Sequence, residues 1–553
     1  MVETPSMEQK IASLEAIVAK QAEQIAKMEA LIKFYEERFK LAQRRQFGAS
    51  SERSPDRLYI DNMFNEAEDQ ADPTSPEPAY EEITYKRKKS AGKREEDLSG
   101  LPVERIDHEL PESERGCPEC GTVMDDIGVK VRQELVIVPA QVVVKEHAEH
   151  VYGCRRCEQE GDHTPIVRAD SPEPLIAGSL ASPSAVALIA VQKYVNCVPL
   201  YRQEKGFAYD GVVLSRQTMA NWLVTCARRF LTAVYSLLIA YLLREPALHA
   251  DETTVQVLHE PGRKAQNKSY EWLYRTSGCS KHPVVIYEYQ ETRGHEHPKE
   301  FLRDFRGYLH ADGYQAYHNL LPGIIVVGCW FHARQYWENL YKTIPESKRD
   351  GSVAERGLVY CNLLFAFEDE FRDLSPEDRC EKRLKYSKPV SDDFFDWAGS
   401  LNALPKSLLG EAVSYAINQR EYLENVWLDG RLELSNNRAE RSIKPFVTGR
   451  KNWLFSNTPN GAEASSILYS IIETAKENGL RPQQYVQFLL EKLPNMTTSG
   501  LEALLPWSDS LPDCCRAPKK KDIPRKRKKD KGSLHLALVR LRDKYRKPDV
   551  PTT

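Results

Sequence analysis

Long apolar runs are scarce in this chain. The longest, Leu231 to Leu243 (LTAVYSLLIAYLL), falls short of the about 20 apolar residues that a membrane-spanning helix takes, and it reads as a buried helix. The first ten residues, MVETPSMEQK, are polar, so neither a signal peptide nor a membrane partner is expected. An excess of one charge is also missing. Against 77 Lys and Arg stand 80 Asp and Glu, a net charge of −3, which excludes a uniformly basic nucleic-acid binder and leaves attraction to phosphate to local clusters. Cysteine is sparse as well, 12 in 553 residues, so reduced thiols or metal ligands are expected rather than a disulfide framework. What remains, 41% hydrophobic and 28% charged, is ordinary globular composition in a chain long enough for three or more domains.

Residues 8–40 carry a heptad stripe: Ile11, Leu14, Val18, Gln21, Ile25, Met28, Ile32 and Tyr35. Such a stripe needs a partner, and a self-associating coiled coil is the expectation; an amphipathic helix packed on its own chain is the alternative. Segment 41–115 begins with LAQRRQFGASSERS, where Arg44, Arg45 and Arg53 beside Phe47 suit either a DNA backbone or a solvated helix end. It continues as a proline-rich, charged linker with too few apolar residues for a core.

Two CxxC pairs follow, Cys117/Cys120 and Cys154/Cys157, joined by a stretch that alternates like β-strands. Four thiolates brought together by a hairpin make a closed tetrahedral zinc site. The segment 116–165 is therefore read as a zinc ribbon, its closed Zn2+ site structural and supporting a module with little core of its own, with chance CxxC pairs or a redox pair as the alternatives. His147 and His150 read as strand or loop residues.

Residues 180–243 read as helices. Ser215 is a candidate N-cap for a helix bearing Arg216, Gln217 and Asn221, which suits a helix-turn-helix on DNA; an ordinary helical bundle is the alternative. From 245 the pattern becomes strands. Two of them share the form apolar-His-Ala-Asp and reach Asp251 and Asp312. Aspartates on neighbouring buried strands repel unless a divalent cation lies between them. Two Mg2+ or Mn2+ ions roughly 3.5–4 Å apart, held by such acids, perform phosphoryl transfer. A third acid is expected on a helix beyond the last strand. The candidate is Glu440 in SNNRAERSIKPFVTGRKNWLF, among Arg438, Arg441, Lys444, Arg450 and Lys451. Taken alone, that segment reads equally as a solvated helix with a Glu440–Lys444 ion pair. Rival third acids are Glu433 and Glu463, and rival first acids Glu252 and Asp304. Charged helical sequence at about 345–430 reads as an insertion dividing the catalytic domain, 245–475. A metal-dependent nuclease or strand transferase is the reading the residues favour, with a non-catalytic DNA-binding protein as the alternative.

A set of motifs in one order carries a resemblance: RRQFGASSE, CPECG with CRRC, KYVNCVPLYRQEKGF, LSRQTMANW, LHADETTVQVL, GYLHADGYQAYHNL, CWFHARQYW, SNNRAERSIKPFVTGRKNWLFSN, YSIIETAKENGL and LLPW. In these the chain resembles the large transposase of the insertion sequence 66 family, from about residue 30 to Trp507. The resemblance implies a multidomain α+β protein: N-terminal coiled coil, zinc ribbon, helix-turn-helix-like helical domain, RNase H-like core with an all-helical insertion, and a C-terminal helical region at 476–507. It implies a DDE triad of Asp251, Asp312 and Glu440. It also implies that ribbon and helix-turn-helix bind the element's terminal inverted repeats, that the ends are cleaved and joined to target DNA, and that small accessory proteins take part. A cytoplasmic, nucleoid-associated bacterial protein is expected. In CWFHARQYW, His332 and Arg334 read as groups supporting the metal site or contacting phosphate, with a satisfied core histidine as the alternative. The segment 508–553 departs from the family pattern; its run RAPKKKDIPRKRKKDKG reads as a DNA-binding tail or as a fused segment without function.

Overall fold

The structure is a computed structural model that describes residues 141–148, 150–153, 166–169, 173–318, 320–496, 500–518 and 533–546, with Gln21 and Met28. The four CxxC cysteines and the rest of segments 8–115 lie outside the described residues. Gln21 and Met28 are helical and exposed. The chain divides into two compact units, 1–50 with 147–517 and 524–553, and 51–146 with 518–523. All elements named below belong to the first.

Strand β1 (Val151–Gly153) pairs antiparallel with β2 (Ile166–Arg168), which ends beyond the expected ribbon boundary. The alternating stretch at 141–148 forms no regular structure. Val142, Val143 and Val144 are all exposed, and alternation becomes a strand only where one face finds a core.

Among the described residues of 173–246, four helices precede the main sheet. Helix α1 (Pro183–Tyr194) starts with proline at its first position and Ser182 as cap. After α2 (Leu200–Tyr209), the chain turns at Gly211, φ +77°, into α3 (Arg216–Cys226). Ser215 caps α3, its Oγ accepting the Thr218 N–H at 3.1 Å. A π turn at Ala227–Leu231 joins α3 to α4 (Thr232–Leu242). The continuous helix Arg216–Leu242 is long and apolar enough to cross a membrane. Its residues Val234, Leu238 and Leu242 are instead wholly buried in the protein core.

The main sheet has the order β5-β4-β3-β6-β7. Strands β3 (Ala247–Gln256), β4 (Lys268–Thr276) and β5 (Val285–Gln290) form an antiparallel meander, while β6 (Gly307–His310) and β7 (Ile324–Val327) run parallel to β3. The short helix α5 (Glu296–Phe301) links the two halves. Asp251 lies in the middle of β3, opposite Leu273, not at a strand end as the sequence suggested. Here the antiparallel partner β4 extends β3 well past its parallel partner β6.

Helix α6 (Trp330–Thr343) leads into the expected helical insertion: α7 (Val353–Glu370), α8 (Pro376–Lys382), α9 (Lys388–Gly399), α10 (Leu408–Asn418) and α11 (Arg420–Glu424). These pack around Trp330, Trp337, Phe394 and Trp427. The fully buried Arg383 organises the return of the chain. It pairs with Glu368 and donates to the carbonyls of Asp429 at 3.0 Å and Leu432 at 2.7 Å, which offsets the cost of burying its charge. The chain then enters α12 (Asn437–Trp453), α13 (Pro459–Glu477) and α14 (Pro482–Lys492).

Helix α13 covers the edge strand β5. Ser470 accepts the Tyr287 N–H at 2.8 Å, and Thr474 both accepts from and donates to Val285, at 3.0 Å each way. An edge strand so satisfied offers no template for another chain. The helices of 180–243 share one continuous core with this sheet, α12, α13, α14 and Leu504, Leu505 and Leu511. Cys515 is buried and Cys514 exposed. In the tail, α15 (Ser533–Arg546) rests on the insertion: Leu541 and Tyr545 pack on its core, and Lys544 pairs with Asp393 at 2.8 Å.

Candidate active site

The register of the sheet sets Asp251 and Asp312 side by side. His249 on β3 pairs with His310 on β6, and each aspartate lies two residues further on. Backbone amides fix one oxygen of each: Asp251 Oδ1 accepts from Glu252 N at 2.8 Å, and Asp312 Oδ1 from Tyr314 N at 2.9 Å. Burial pushes the Asp251 carboxyl well above the usual carboxylate range, and the neighbouring Glu252, Glu440 and Asp312 push it further. Thus β3, the turn after β6 and the first turn of α12 converge on one cluster of acids. Among the described residues no Lys or Arg pairs with Asp251, Asp312 or Glu440. Crowded carboxylates with which no described Lys or Arg pairs, and a buried Glu440 Oε1 without a hydrogen-bond partner, fit a hard divalent ion.

The rival acids are occupied or distant. Glu252 is buried and held by Arg293, whose Nε donates at 2.9 Å, and by the Tyr317 hydroxyl at 2.6 Å. Glu433 lies 2.9 Å from the Arg438 Nε and accepts from Gly278 N. Burial raises the Glu433 carboxyl, but His249, Arg438, His310 and the Gly278 amide outweigh this and hold it at about 2. Burial holds His249 itself at about 4, so its ring is neutral near pH 7 and Arg438 is the standing partner. Asp304 is exposed beside Arg303, and Glu463 exposed near Arg228.

Glu440 reaches the cluster because Asn436, the buried residue before α12, is tied three ways. Its Oδ1 lies 3.0 Å from His249 Nδ1, its Nδ2 donates to the Ala250 carbonyl at 2.7 Å, and its backbone N–H donates to Cys329 Sγ at 3.2 Å. Beside it, His249 and His310 stack with centroids 4.3 Å apart. The far end of α12 is tied to β3 as well: Ser456 N donates to Gln256 O at 2.9 Å, and Arg450 donates to Thr254 at 3.0 Å. In the middle, Arg275 of β4 donates to Ser442. The apolar-His-Ala-Asp repeat signalled the histidines in the sequence; Asn436 carried no signal beyond its place before the helix.

Cys329 and His332 stand where β7 passes into α6, facing Glu440. His332 Nε2 lies 3.7 Å from Glu440 Oε1. Burial works against the His332 cation, but Cys329, Glu440 and Asp312 outweigh it and hold its proton up to about 10. Glu440 thus takes His332 as its neighbour, and no Glu440–Lys444 pair is present among the described ion pairs. Arg334 corrects an expectation. It is buried, with Nε donating to Asn362 at 2.7 Å and Nη1 to Glu338 at 2.8 Å, because it lies on the inward face of α6. Arg438 and Arg450 are likewise spent on Glu433 and on Thr253 and Thr254. Arg441 and Lys451 are exposed and Lys444 half-buried on α12, and Arg216, Gln217 and Asn221 are exposed on α3.

Comparison with known proteins now bears on this arrangement. The family described as "Transposase IS66 family" matches residues 178–464. The chain belongs to that family. The zinc-finger binding domain of transposase IS66 matches 114–158, which includes all four CxxC cysteines, and the IS66 C-terminal element matches 470–507. A segment described as "Transposase C of IS166 homeodomain" matches 35–106. Among curated proteins, the uncharacterized protein y4qI of Sinorhizobium fredii is 30% identical over 91% of this chain and 95% of its own length. The uncharacterized protein y4jD of the same organism is 30% identical over 72% and 78%. Among solved structures, the Drosophila P element transposase strand transfer complex aligns with 58% of this chain and 93% of its own, at 10% identity and a TM-score of 0.28, too slight a likeness to carry an argument. This IS66-family chain is a multidomain α+β transposase, a DNA-cleaving enzyme with a zinc-finger segment.

Asn436→Ala leaves His249 Nδ1 and the Ala250 carbonyl without partners. It should cost about 1–3 kcal/mol, read as a lowered denaturant midpoint at unchanged slope. The raised Asp251 carboxyl generates a second expectation. Its folded state holds the proton more tightly than the unfolded state, so that stability is full below the ordinary value of 3.8 and is lost as pH rises above it. Without added Mg2+, Asp251→Asn should melt about 2–4 °C above the parent chain near neutral pH. The gap should close toward pH 4, and equal melting at every pH would remove Asp251 as the seat of the repulsion.

Proposed function

We propose that this transposase works by DDE chemistry: it binds the inverted-repeat ends of its element, hydrolyses them, and joins the freed 3′-hydroxyls to target DNA. The observation that carries the reading is the convergence of Asp251, Asp312 and Glu440, from three separate elements, on one cluster that no described Lys or Arg pairs with. The meander β3–β5 with β6 and β7 parallel to β3 supports an RNase H-like core. Asp251, Asp312 and Glu440 would hold Mg2+ or Mn2+. When bound, such ions activate an attacking oxygen and stabilise a leaving one.

The chain's own residues do the rest. Asn436 and the two histidines keep the carboxylates aligned without adding charge. Arg293 and Tyr317 occupy Glu252, so the acid adjacent to Asp251 does not compete for the ions. Arg441, Lys444 and Lys451 lie on the helix that carries Glu440 and would hold phosphates beside it. Arg216, Gln217 and Asn221, at the exposed start of α3, would contact the element's ends, together with a ribbon held by Zn2+ on Cys117, Cys120, Cys154 and Cys157. The heptad stripe of 8–40 would pair two copies so that both ends are held in one assembly, with accessory proteins of the element joining it.

Asp251→Asn, Asp312→Asn and Glu440→Gln should each lower Mg2+-dependent cleavage of labelled element ends by at least about a hundredfold. A gel shift should find end binding nearly unchanged. Cleavage at the parent rate by any of the three would sink the triad, and cutting without a joined product would reduce the activity to a nuclease. Dialysis against a chelator strong enough to strip zinc should abolish end binding, and restored Zn2+ should recover it; binding that survives metal analysis at zero zinc would overturn the ribbon's role.

A further inference from the structure

A second kind of metal site overlaps this cluster. Cys329, His332 and Glu440 each offer a donor atom, and the three atoms lie within 4.8 Å of one another. His332 Nε2 and Glu440 Oε1 lie 3.7 Å apart, a few tenths of an ångström more than the roughly 3.3–3.5 Å that the Zn–N and Zn–O bond lengths give for two ligands on one tetrahedral zinc. Two observations point to a ligand there. Glu440 Oε1, the oxygen that faces His332 Nε2, is a buried atom without a hydrogen-bond partner. Cys329 Sγ accepts the Asn436 backbone N–H at 3.2 Å, the kind of outer support that steadies a metal-bound thiolate. The sulfur is buried, whereas His332 and Glu440 are about a third exposed, 34% and 30%, so an ion reaches the sulfur from their open side.

We propose that Cys329, His332 and Glu440 form an inhibitory site for a thiophilic divalent cation of the Zn2+ class. The donor set discriminates between ions. Thiolate and imidazole favour Zn2+, whereas Mg2+ takes oxygen ligands and is poorly served by sulfur. Glu440 belongs to both sets. A zinc ion on Cys329 and His332 takes that carboxylate away from Asp251 and Asp312, and free zinc thereby sets a ceiling on cleavage in Mg2+. Binding itself is independent of the catalytic reading; only the inhibition rests on Glu440 being the third catalytic acid.

The test uses the full chain carrying its ribbon zinc. Equilibrium dialysis against buffered Zn2+ in excess Mg2+, followed by metal analysis, should find one more tightly held zinc per chain in the parent than in Cys329→Ala or His332→Ala. Cd2+ should give a thiolate charge-transfer absorbance that Cys329→Ala reduces. Melting curves identify a variant that has failed to fold, and two ligands are varied so that one folded variant suffices. In the cleavage assay, the zinc needed for half-inhibition should rise by at least about tenfold in Cys329→Ser. Equal stoichiometry and an unchanged cadmium band in folded variants overturn the site, whether or not the chain cleaves DNA. An extra zinc with no effect on cleavage overturns the inhibitory role and leaves the DDE reading to its own mutants.

Discussion

Three carboxylates repel one another, and the rest of the fold is arranged so that they cannot move apart. The constraint is the fastening of α12 along β3. At the head of the helix, Asn436 links its own backbone to Cys329 and its side chain to His249 and Ala250. At the tail, Ser456 continues the pairing of β3, and Arg450 reaches Thr253 and Thr254. A helix held at both ends cannot slide or tilt away, so Glu440 stays beside Asp251 despite the charge. The ties at the head are hydrogen bonds between neutral groups, strong where water is excluded, and none of the ties engages the three acids.

The layers around this joint hold it in register. The insertion closes over α6 with its own aromatic core, and Arg383 gathers the returning segment so that it arrives at Asn436. On the opposite edge, the serine and threonine face of α13 takes up the free groups of β5. The helices before the sheet contribute apolar surface to the same core. The exposed start of α3 is thereby mounted on the body that carries the acids.

Much of this could be read from residues alone. The strands of the sheet are buried, β-branched and aromatic runs, and the acids stood out because charge so close to such runs demands a reason. Other features depended on partners that no local pattern reveals. Asp251 looked like a strand end because the apolar run stops at Ala250; the next strand, β4, carries it onward by pairing Leu273 with Asp251. Arg334, Arg438 and Arg450 looked like phosphate holders because a basic residue on a helix does not declare which face it occupies. Arg334 turned out to be on the buried face, and the other two to be bound to Glu433 and to β3. Asn436 was the least legible, since its meaning lies in three contacts with residues more than a hundred positions away.

The long interval between Asp312 and Glu440 has a consequence during synthesis. Chains emerge from the ribosome N-terminus first, at about 5–20 residues per second. A chain stalled anywhere in the insertion holds both aspartates but neither Asn436 nor Glu440. Truncated products therefore lack the joint as well as the third acid. By placing Glu440 after the insertion, the gene withholds the complete carboxylate cluster from every copy that stops within it.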